Sequence, residues 1–404
     1  MTIITSIDDI AWIFNLRGSD VACTPVNLAY SIISIDKVIL YINEEKLDAE
    51  VETYLRDNDV EVRDYFEIYK DVLDISNSNI VLLDENRVNY TICKDLKDVK
   101  IINEPNISTL MKSCKNKVEI ENIRKTHIRD GVYVTKFMYW LKNNVGKQKI
   151  TEIDASDYVD NLRASDENFR DLSFDTISAY GENAAMMHYK ANPETQATLK
   201  PSGMLLVDSG GQYLDGTTDI TRTFVLGEIS DEIKKHFTLT LKGMIRLAKA
   251  KFMYGVTGTN VDILAREALW GIGIDYKCGT GHGVGFMLNV HEGPQNIRWT
   301  YNSQKLEVGM VVTDEPGVYI EGSHGIRLEN ELLVQEFKES EFGKFLQFET
   351  LTFVPLDLDG VIPELLDESE REFLNNYHRE VREKISPFLN EEEREFLAKY
   401  TREI

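Results

Sequence analysis

Four acidic residues lie where surface acids seldom do. Asp208 closes the apolar run Met204-Leu205-Leu206-Val207, and Asp219 stands between Thr218 and Ile220, eleven positions later. Glu315 follows Val311-Val312-Thr313-Asp314 and precedes Pro316-Gly317, and Glu329 ends Gly325-Ile326-Arg327-Leu328-Glu329, fourteen positions on. A bare carboxylate in apolar strand text is costly unless something partners it. Between the two pairs runs Cys278-Gly279-Thr280-Gly281-His282-Gly283-Val284-Gly285, stripped of large side chains around His282, with His291 nine positions further. One imidazole and four carboxylates form a hard, oxygen-rich donor set. It suits Mn²⁺ or a similar divalent ion better than a structural zinc. Four acids carry more charge than one divalent ion balances. Two ions sharing carboxylates would balance it and could activate water for hydrolysis.

Each piece alone is weak. An Asp in "VDSG" is more often a strand-end cap than a ligand, a His among glycines is usually a loop residue, and "EPG" is a turn. The order of the pieces carries the inference, together with the register they imply. Positions 315 and 329 are centred on Gly322. A tight loop there places Glu315 and Glu329 directly opposite, with carbons about 5 Å apart. Two carboxylates that close repel and are best tolerated with a cation between them. The first pair is less tidy. A turn at Asp215-Gly216 pairs Asp219 with Gln212 and leaves Asp208 out of register. Either the loop is longer and centred nearer Tyr213, or Gly210 and Gly211 break the ladder.

The elements that must position these residues are legible from periodicity. Thr2 to Thr5 reads as a strand, and Ser6 and Asp9 have capping-box spacing before Ile10-Ala11-Trp12-Ile13-Phe14. From Tyr30 to about Val99, short β-rich runs alternate with polar helical stretches, as in a small α/β domain. Apolar residues then recur at helical spacing for about 25 positions from Lys117, and a second helix covers Thr151 to Ala164. Strand text, two helices (Asp231 to Lys251 and Asn260 to Trp270) and more strand text follow. The order suggests two similar halves without readable identity. The last 40 or so residues, rich in Glu, Leu and Arg, read as helical. His127, His236 and His378 fall in helical text among charged neighbours and are expected to be structural, and His324 is expected in the Gly322–Gly325 turn near the site.

Bulk properties narrow the partners. The 404 residues carry a formal charge of -23 with no offsetting basic run, so phosphate backbones and anionic membranes are poor partners. No 18-residue apolar run exists to span a bilayer. Four cysteines without paired spacing read as reduced thiols of a cytoplasmic protein.

Together, "DGTTDITRT", "GTGHGVG", "LNVHEGP", "TDEPG" and "GIRLEN" resemble the X-prolyl aminopeptidases (aminopeptidase P) of the creatinase, prolidase and methionine aminopeptidase superfamily. The tail "FLNNYHREVREKISPFL" is similar to that of the long, three-domain type. The resemblance runs from about Thr2 to the end. It implies an α+β chain: a creatinase-like α/β domain over 1–112, a pita-bread metallopeptidase catalytic domain over 113–355 and a helical C-terminal extension over 356–404. It further implies two metals, most often manganese, held by Asp208, Asp219, His282, Glu315 and Glu329, with Asp219 and Glu329 bridging and Glu315 relaying a proton. His291 would contact the substrate amide and the tetrahedral intermediate, His188 would steady that intermediate or the proline side, and Arg327 would sit behind the ligands. The implied reaction is hydrolysis of the bond between an N-terminal residue and a following proline, in a homodimer.

Two departures stand out. Many relatives carry histidine where this chain has Cys278, and long members carry a further domain ahead of the one that opens this chain. Two other readings remain: a prolidase confined to X-Pro dipeptides, and an inactive pita-bread binding module, which would be expected to lack metal ligands.

Overall fold

The structure, a computed structural model, describes residues 1–404. It divides into two compact units, Met1–Lys112 and Ser113–Ile404.

The first unit is built on a six-stranded mixed sheet. Its strands, in spatial order, are Val60–Arg63, Val38–Ile42, Ala29–Ile33, Thr2–Ile4, Ile80–Leu83 and Lys100–Asn103. Alternating side chains feed two cores. Ile3, Ile39 and Tyr41 join one cluster, and Ile4, Leu40 and Ile42 join the other. The sheet is therefore buried on both faces, as strands flanked by helices must be. The expected capping box at Ser6 does not form. No backbone N–H is capped by the Ser6 side chain; its hydroxyl donates instead to the buried Asp9 carboxylate, which also accepts from Asn106 Nδ2 at 3.0 Å.

The second unit repeats one plan twice. Helices Lys117–Asn144 and Glu152–Ala164 lead into a hairpin made of Met204–Ser209 and Ile220–Val225. Helices Asp231–Ala248 and Gly258–Trp270 lead into a second hairpin, Val311–Asp314 with Asn330–Ser340. Each helix pair starts from a side-chain cap or capping box, at Asn116, Thr151, Ser230 and Thr257. Each pair buries its apolar face on its own hairpin. Phe137, Leu141 and Val159 pack with Leu205, Val207 and Phe224, while Leu247 and Ala265 pack with Val312, Leu332 and Val334. The C-terminal helices Glu368–Ile385 and Glu391–Tyr400 build a third core: Leu374, Val381 and Leu397 cluster with Val132, Phe237 and Leu241.

Both hairpins are split part-way along. The first runs in one register from Val225↔Met204 through Ile220↔Ser209, then resumes as Thr217↔Gln212 and Gly216↔Tyr213 in a different sheet. Its turn is therefore Leu214-Asp215, and the ladder breaks at Gly210 and at Thr218-Asp219. The glycine break is found, whereas the longer loop is not: the loop keeps two residues and its centre moves only one position towards Tyr213. A side chain at Gly210 would meet the Thr218 carbonyl oxygen at 1.8 Å. The second hairpin runs from Val311↔Leu333 to Asp314↔Asn330, breaks, and resumes from Gly317↔Arg327 to Ile320↔His324. Its turn is centred on Gly322, whose φ of +69° is in the left-handed region that glycine tolerates.

Candidate metal centre

The acids sit at or beside the splits. Glu315 and Glu329 occupy opposed positions in the broken stretch of the second hairpin, as the register argument requires. Asp219 occupies the break of the first, and Asp208 lies in the strand just before it. A broken ladder frees backbone N–H groups that must find other acceptors. Glu315 N–H donates to Thr280 O at 2.8 Å, and Glu329 N–H to Thr221 O at 3.1 Å. Asp219 N–H donates to the Glu331 Oε1 carboxylate oxygen at 2.8 Å. The replacement bonds tie the two hairpins and the glycine loop to one another at the acids.

The glycine loop serves the same end. A side chain at Gly281 would meet Thr313 O at 1.9 Å, and one at Gly283 would meet Glu292 O at 2.0 Å. The glycines make room for backbone, which brings His282 up to the carboxylates. The Nδ1–H of His282 donates to Gly283 O at 3.0 Å, leaving the Nε2 lone pair facing Asp219 Oδ2 at 3.4 Å and Glu315 Oε1 at 3.5 Å.

The donor atoms form three overlapping triads, each within 4.8 Å: Asp219, His282 and His291; His282, Glu315 and Glu329; and Asp208, Asp219 and Glu329. Asp219, His282 and Glu329 each belong to two triads, and Asp219 and Glu329 are the carboxylates among them. Desolvation pushes both carboxyls well above the ordinary carboxylate range, and the neighbouring carboxylates push them further. Desolvation also raises Glu315, against the pull of His282 and Arg327. Asp208 Oδ1 and Glu329 Oε1 are buried without a hydrogen-bond partner. Bare acceptors, crowded like charges and one imidazole lone pair fit divalent cations and little else.

Buried groups hold this set in place. Arg327 donates to Asp208 Oδ2 through Nη2 at 2.6 Å and Nε at 3.2 Å, and to the Tyr319 hydroxyl at 2.8 Å. Thr221 Oγ1 donates to Glu329 Oε2 at 2.7 Å, and Thr313 Oγ1 to Glu315 Oε1 at 3.1 Å. Asp130 and Arg163, both fully buried, pair behind the first split, where Arg163 Nη2 also reaches Ser209 O at 3.3 Å. Arg222 bridges the Glu329 carbonyl, Asn330 Oδ1 and the Tyr377 hydroxyl of the C-terminal helix. Glu331 bonds Asp219 on one side and stands 3.2 Å from His127 Nε2 on the other.

Glu331, Arg222, Asp130 and Arg163 were missed in the sequence. A signal existed for Glu331: it follows Glu329 by two in apolar strand text, the spacing that shares one face.

The acids and His282 adjoin a cleft of about 560 Å³. His188 and His291 line it, as do Arg327, Cys278, Tyr319, Phe174 and Ile177. His291 is at the exposed rim with its ring edge-on to His282, centroids 4.2 Å apart. Desolvation of the ring, and then the His282 imidazole beside it, push its pKa down to about 4. Burial pushes the Cys278 thiol up to about 11, so it is neutral at physiological pH. His127, His236 and His378 are buried helix residues outside this cleft. His324 departs from expectation. It opens the strand after the turn, is 4 % exposed, and bonds His236 Nδ1 at 3.0 Å, because the turn closes at Ser323.

A mixed α/β unit followed by two helix-and-hairpin halves around a carboxylate-rich cleft defines a creatinase-type metallopeptidase architecture. Residues 121–336 match the model of metallopeptidase family M24, residues 1–119 the creatinase/prolidase N-terminal domain, and residues 344–404 the C-terminal region of peptidase M24. The chain belongs to metallopeptidase family M24. Among its relatives are a probable Xaa-Pro aminopeptidase P of Talaromyces marneffei, 42% identical over 96% of this chain, and one of Paracoccidioides brasiliensis, 41% identical over 96%. The chain spans 61% and 66% of the length of those two relatives. The solved X-prolyl aminopeptidase of Caenorhabditis elegans, described as a cytosolic enzyme with a di-nuclear active site, superposes with a TM-score of 0.95 at 34% identity, covering 100% of this chain and 68% of its own. No helix is long and apolar enough to cross a membrane.

Proposed function

We propose that this chain acts as a dinuclear-metal aminopeptidase that hydrolyses the bond between an N-terminal residue and a following proline. The observation that carries the reading is the convergence of Asp208, Asp219, His282, Glu315 and Glu329, the first four of which line one cleft with His188, His291 and Arg327. Relatives named Xaa-Pro aminopeptidase P and the di-nuclear site of the nematode enzyme support it.

The five residues would hold two divalent ions, with Asp219 and Glu329 shared between them. The oxygen-rich set favours Mn²⁺. When bound, the ions supply Lewis-acid polarisation of the scissile carbonyl and activation of the attacking water. The chain's own groups do the rest. Arg327 fixes Asp208 by donating to its Oδ2 through Nε and Nη2. Glu315, oriented by Thr313, takes the proton of the attacking water. His291, neutral at working pH, donates an N–H to the developing oxyanion. His188, which also lines the cleft, steadies the tetrahedral intermediate or the proline side. Proline has no amide hydrogen and a fixed φ, so a site without a backbone-strand requirement at that position is what such a bond needs. A cytoplasmic location and a homodimer are part of the proposal, the first supported by the description of the nematode enzyme.

The test uses protein stripped of metal and reloaded with manganese, offered X-Pro-X, X-Ala-X and X-Pro peptides. Cleavage of X-Pro-X alone between the first two residues, abolished by chelation, is expected. Cleavage confined to the X-Pro dipeptide makes the chain a prolidase, and failure to take up metal makes it a binding module.

A further inference from the structure

Arg298 is a cation with no partner in a cleft where every other cationic side chain has one. Arg327 is engaged by Asp208 and Tyr319. Lys190, which also lines the cleft, pairs with Asp175 at 2.5 Å. Arg298 is exposed, lines the cleft and makes no side-chain hydrogen bond or ion pair. The chain has 68 acidic residues against 45 basic ones, so a free guanidinium inside its cleft is not a by-product of a basic surface.

Its position follows from the strand it extends. Gly281 pairs with Ile297 and His282 with Asn296 in a short antiparallel ladder. Asn296 and Arg298 fall on the same face, and both line the cleft. Arg298 is therefore two residues, about 6.6 Å, beyond the residue opposite His282. A peptide lying extended from the scissile bond covers that distance in about two residues. With the amino end of the substrate held at the metal centre, as the aminopeptidase reading has it, we assign the leaving portion to this side.

We propose that Arg298 is a specificity residue that receives a carboxylate on the leaving side of the substrate, about two residues past the cleaved bond. The inference rests on the aminopeptidase reading above. A planar guanidinium takes a carboxylate through two parallel N–H···O bonds, and at an exposed site that preference is modest. The carboxylate could be the C-terminus of a short peptide or an Asp or Glu side chain in a longer one. The acidic protein otherwise repels both.

The experiment compares X-Pro-X tripeptides as free acid and as C-terminal amide, together with an amide that carries Asp at the third position, on manganese-loaded protein. A kcat/KM ratio of free acid to amide of about five to ten is expected. It should fall to about one in Arg298→Gln and be partly restored in Arg298→Lys. The Asp-bearing amide separates the sources: if it matches the free acid, any nearby carboxylate serves; if it matches the plain amide, the terminus is what is read. Because Arg298 is exposed and unpartnered, neither variant should disturb folding, and unchanged thermal unfolding checks this. Equal rates for acid and amide in the wild type, or an Arg298→Gln loss that is the same for both, overturns the assignment. Should no X-Pro peptide be cleaved, the aminopeptidase reading fails separately. Calorimetric binding of the same acid and amide peptides to the loaded protein then decides on Arg298, with equal affinities counting against it.

Discussion

Acid should loosen this protein through a histidine that never meets substrate. His378 is fully buried on the Glu368–Ile385 helix, where its Nε2 accepts the Leu356 N–H at 3.1 Å. Burial, and then the charges of Arg222, Arg382 and Arg402, push its pKa down to about 3. An unfolded histidine titrates near 6.5. Between those values the unfolded chain binds a proton that the folded chain refuses, so stability is full above about pH 6.5 and falls as pH drops towards 3. The loss is about 1.4 kcal/mol per unit, hence about 2 kcal/mol at pH 5. Carboxylates titrate as well, so the quantity to read is a difference between variants. His378→Gln keeps an acceptor for Leu356 N–H and removes the titration. Urea unfolding followed by fluorescence in a Trp12→Phe background leaves Trp140, Trp270 and Trp299 as reporters, all in the second unit. The wild type should lose about 2 kcal/mol more than His378→Gln between pH 7.5 and pH 5. Parallel losses would refute the assignment of a depressed pKa to this buried ring.

Three further outcomes are expected. Glu331→Leu should weaken manganese binding, measured by calorimetry, by about tenfold or more, while Glu331→Gln, which still accepts the Asp219 N–H, should lose much less; supporting partners of metal ligands commonly contribute 10–100-fold. Metal uptake should release protons, because Asp219, Glu329 and Glu315 are raised above the ordinary carboxylate range; apparent affinity should therefore fall as pH falls, and titrations in buffers of different ionisation enthalpy would count the protons released. His291→Ala should cut kcat by about 10²–10³-fold with little change in metal content, as loss of an oxyanion donor does, and a comparable loss of metal would recast His291 as a ligand.

The elements around the site were legible because helices and strands announce themselves by period. Lys117–Asn144 and Asp231–Ala248 follow their apolar spacing closely, and the turn at Gly322 followed from the midpoint of two glutamates. The first hairpin resisted the same reasoning. Asp215-Gly216 is the stronger local turn signal, yet the turn is Leu214-Asp215. What fixes it is tertiary: Thr126 Oγ1 donates to Asp215 O at 2.9 Å, and Arg129 binds the Asp215 carboxylate. Both partners come from one helix, 89 and 86 positions upstream, beyond the reach of any local pattern. His324 was misplaced for a related reason: its partner is His236 on a distant helix, so its neighbours in sequence give no sign that it is buried. Arg222 belongs to the same class: a lone charged residue in strand text signals a buried network only once the network is assembled, whereas Glu331 is marked by its spacing of two from Glu329.

The split hairpins explain why acids can sit where the sequence puts them. In an unbroken ladder Glu315 and Glu329 would face each other across paired strands, their backbone groups spent on one another and their repulsion unrelieved. Breaking the ladder frees those groups to bond the glycine loop and the other hairpin, which draws His282 and Asp219 into reach. The same break leaves Asp208 Oδ1 and Glu329 Oε1 without partners. Two buried, unsatisfied carboxylate oxygens cost several kcal/mol that the surrounding cores must offset. Cations would remove that cost. The second unit should therefore unfold at a higher temperature loaded with metal than stripped of it, and the increment should shrink when Asp208→Asn or Glu329→Gln removes one of the crowded charges. A stripped protein as stable as the loaded one would mean that the acids are reconciled within the fold without cations, by shared protons, and the metallopeptidase chemistry would lose its physical basis.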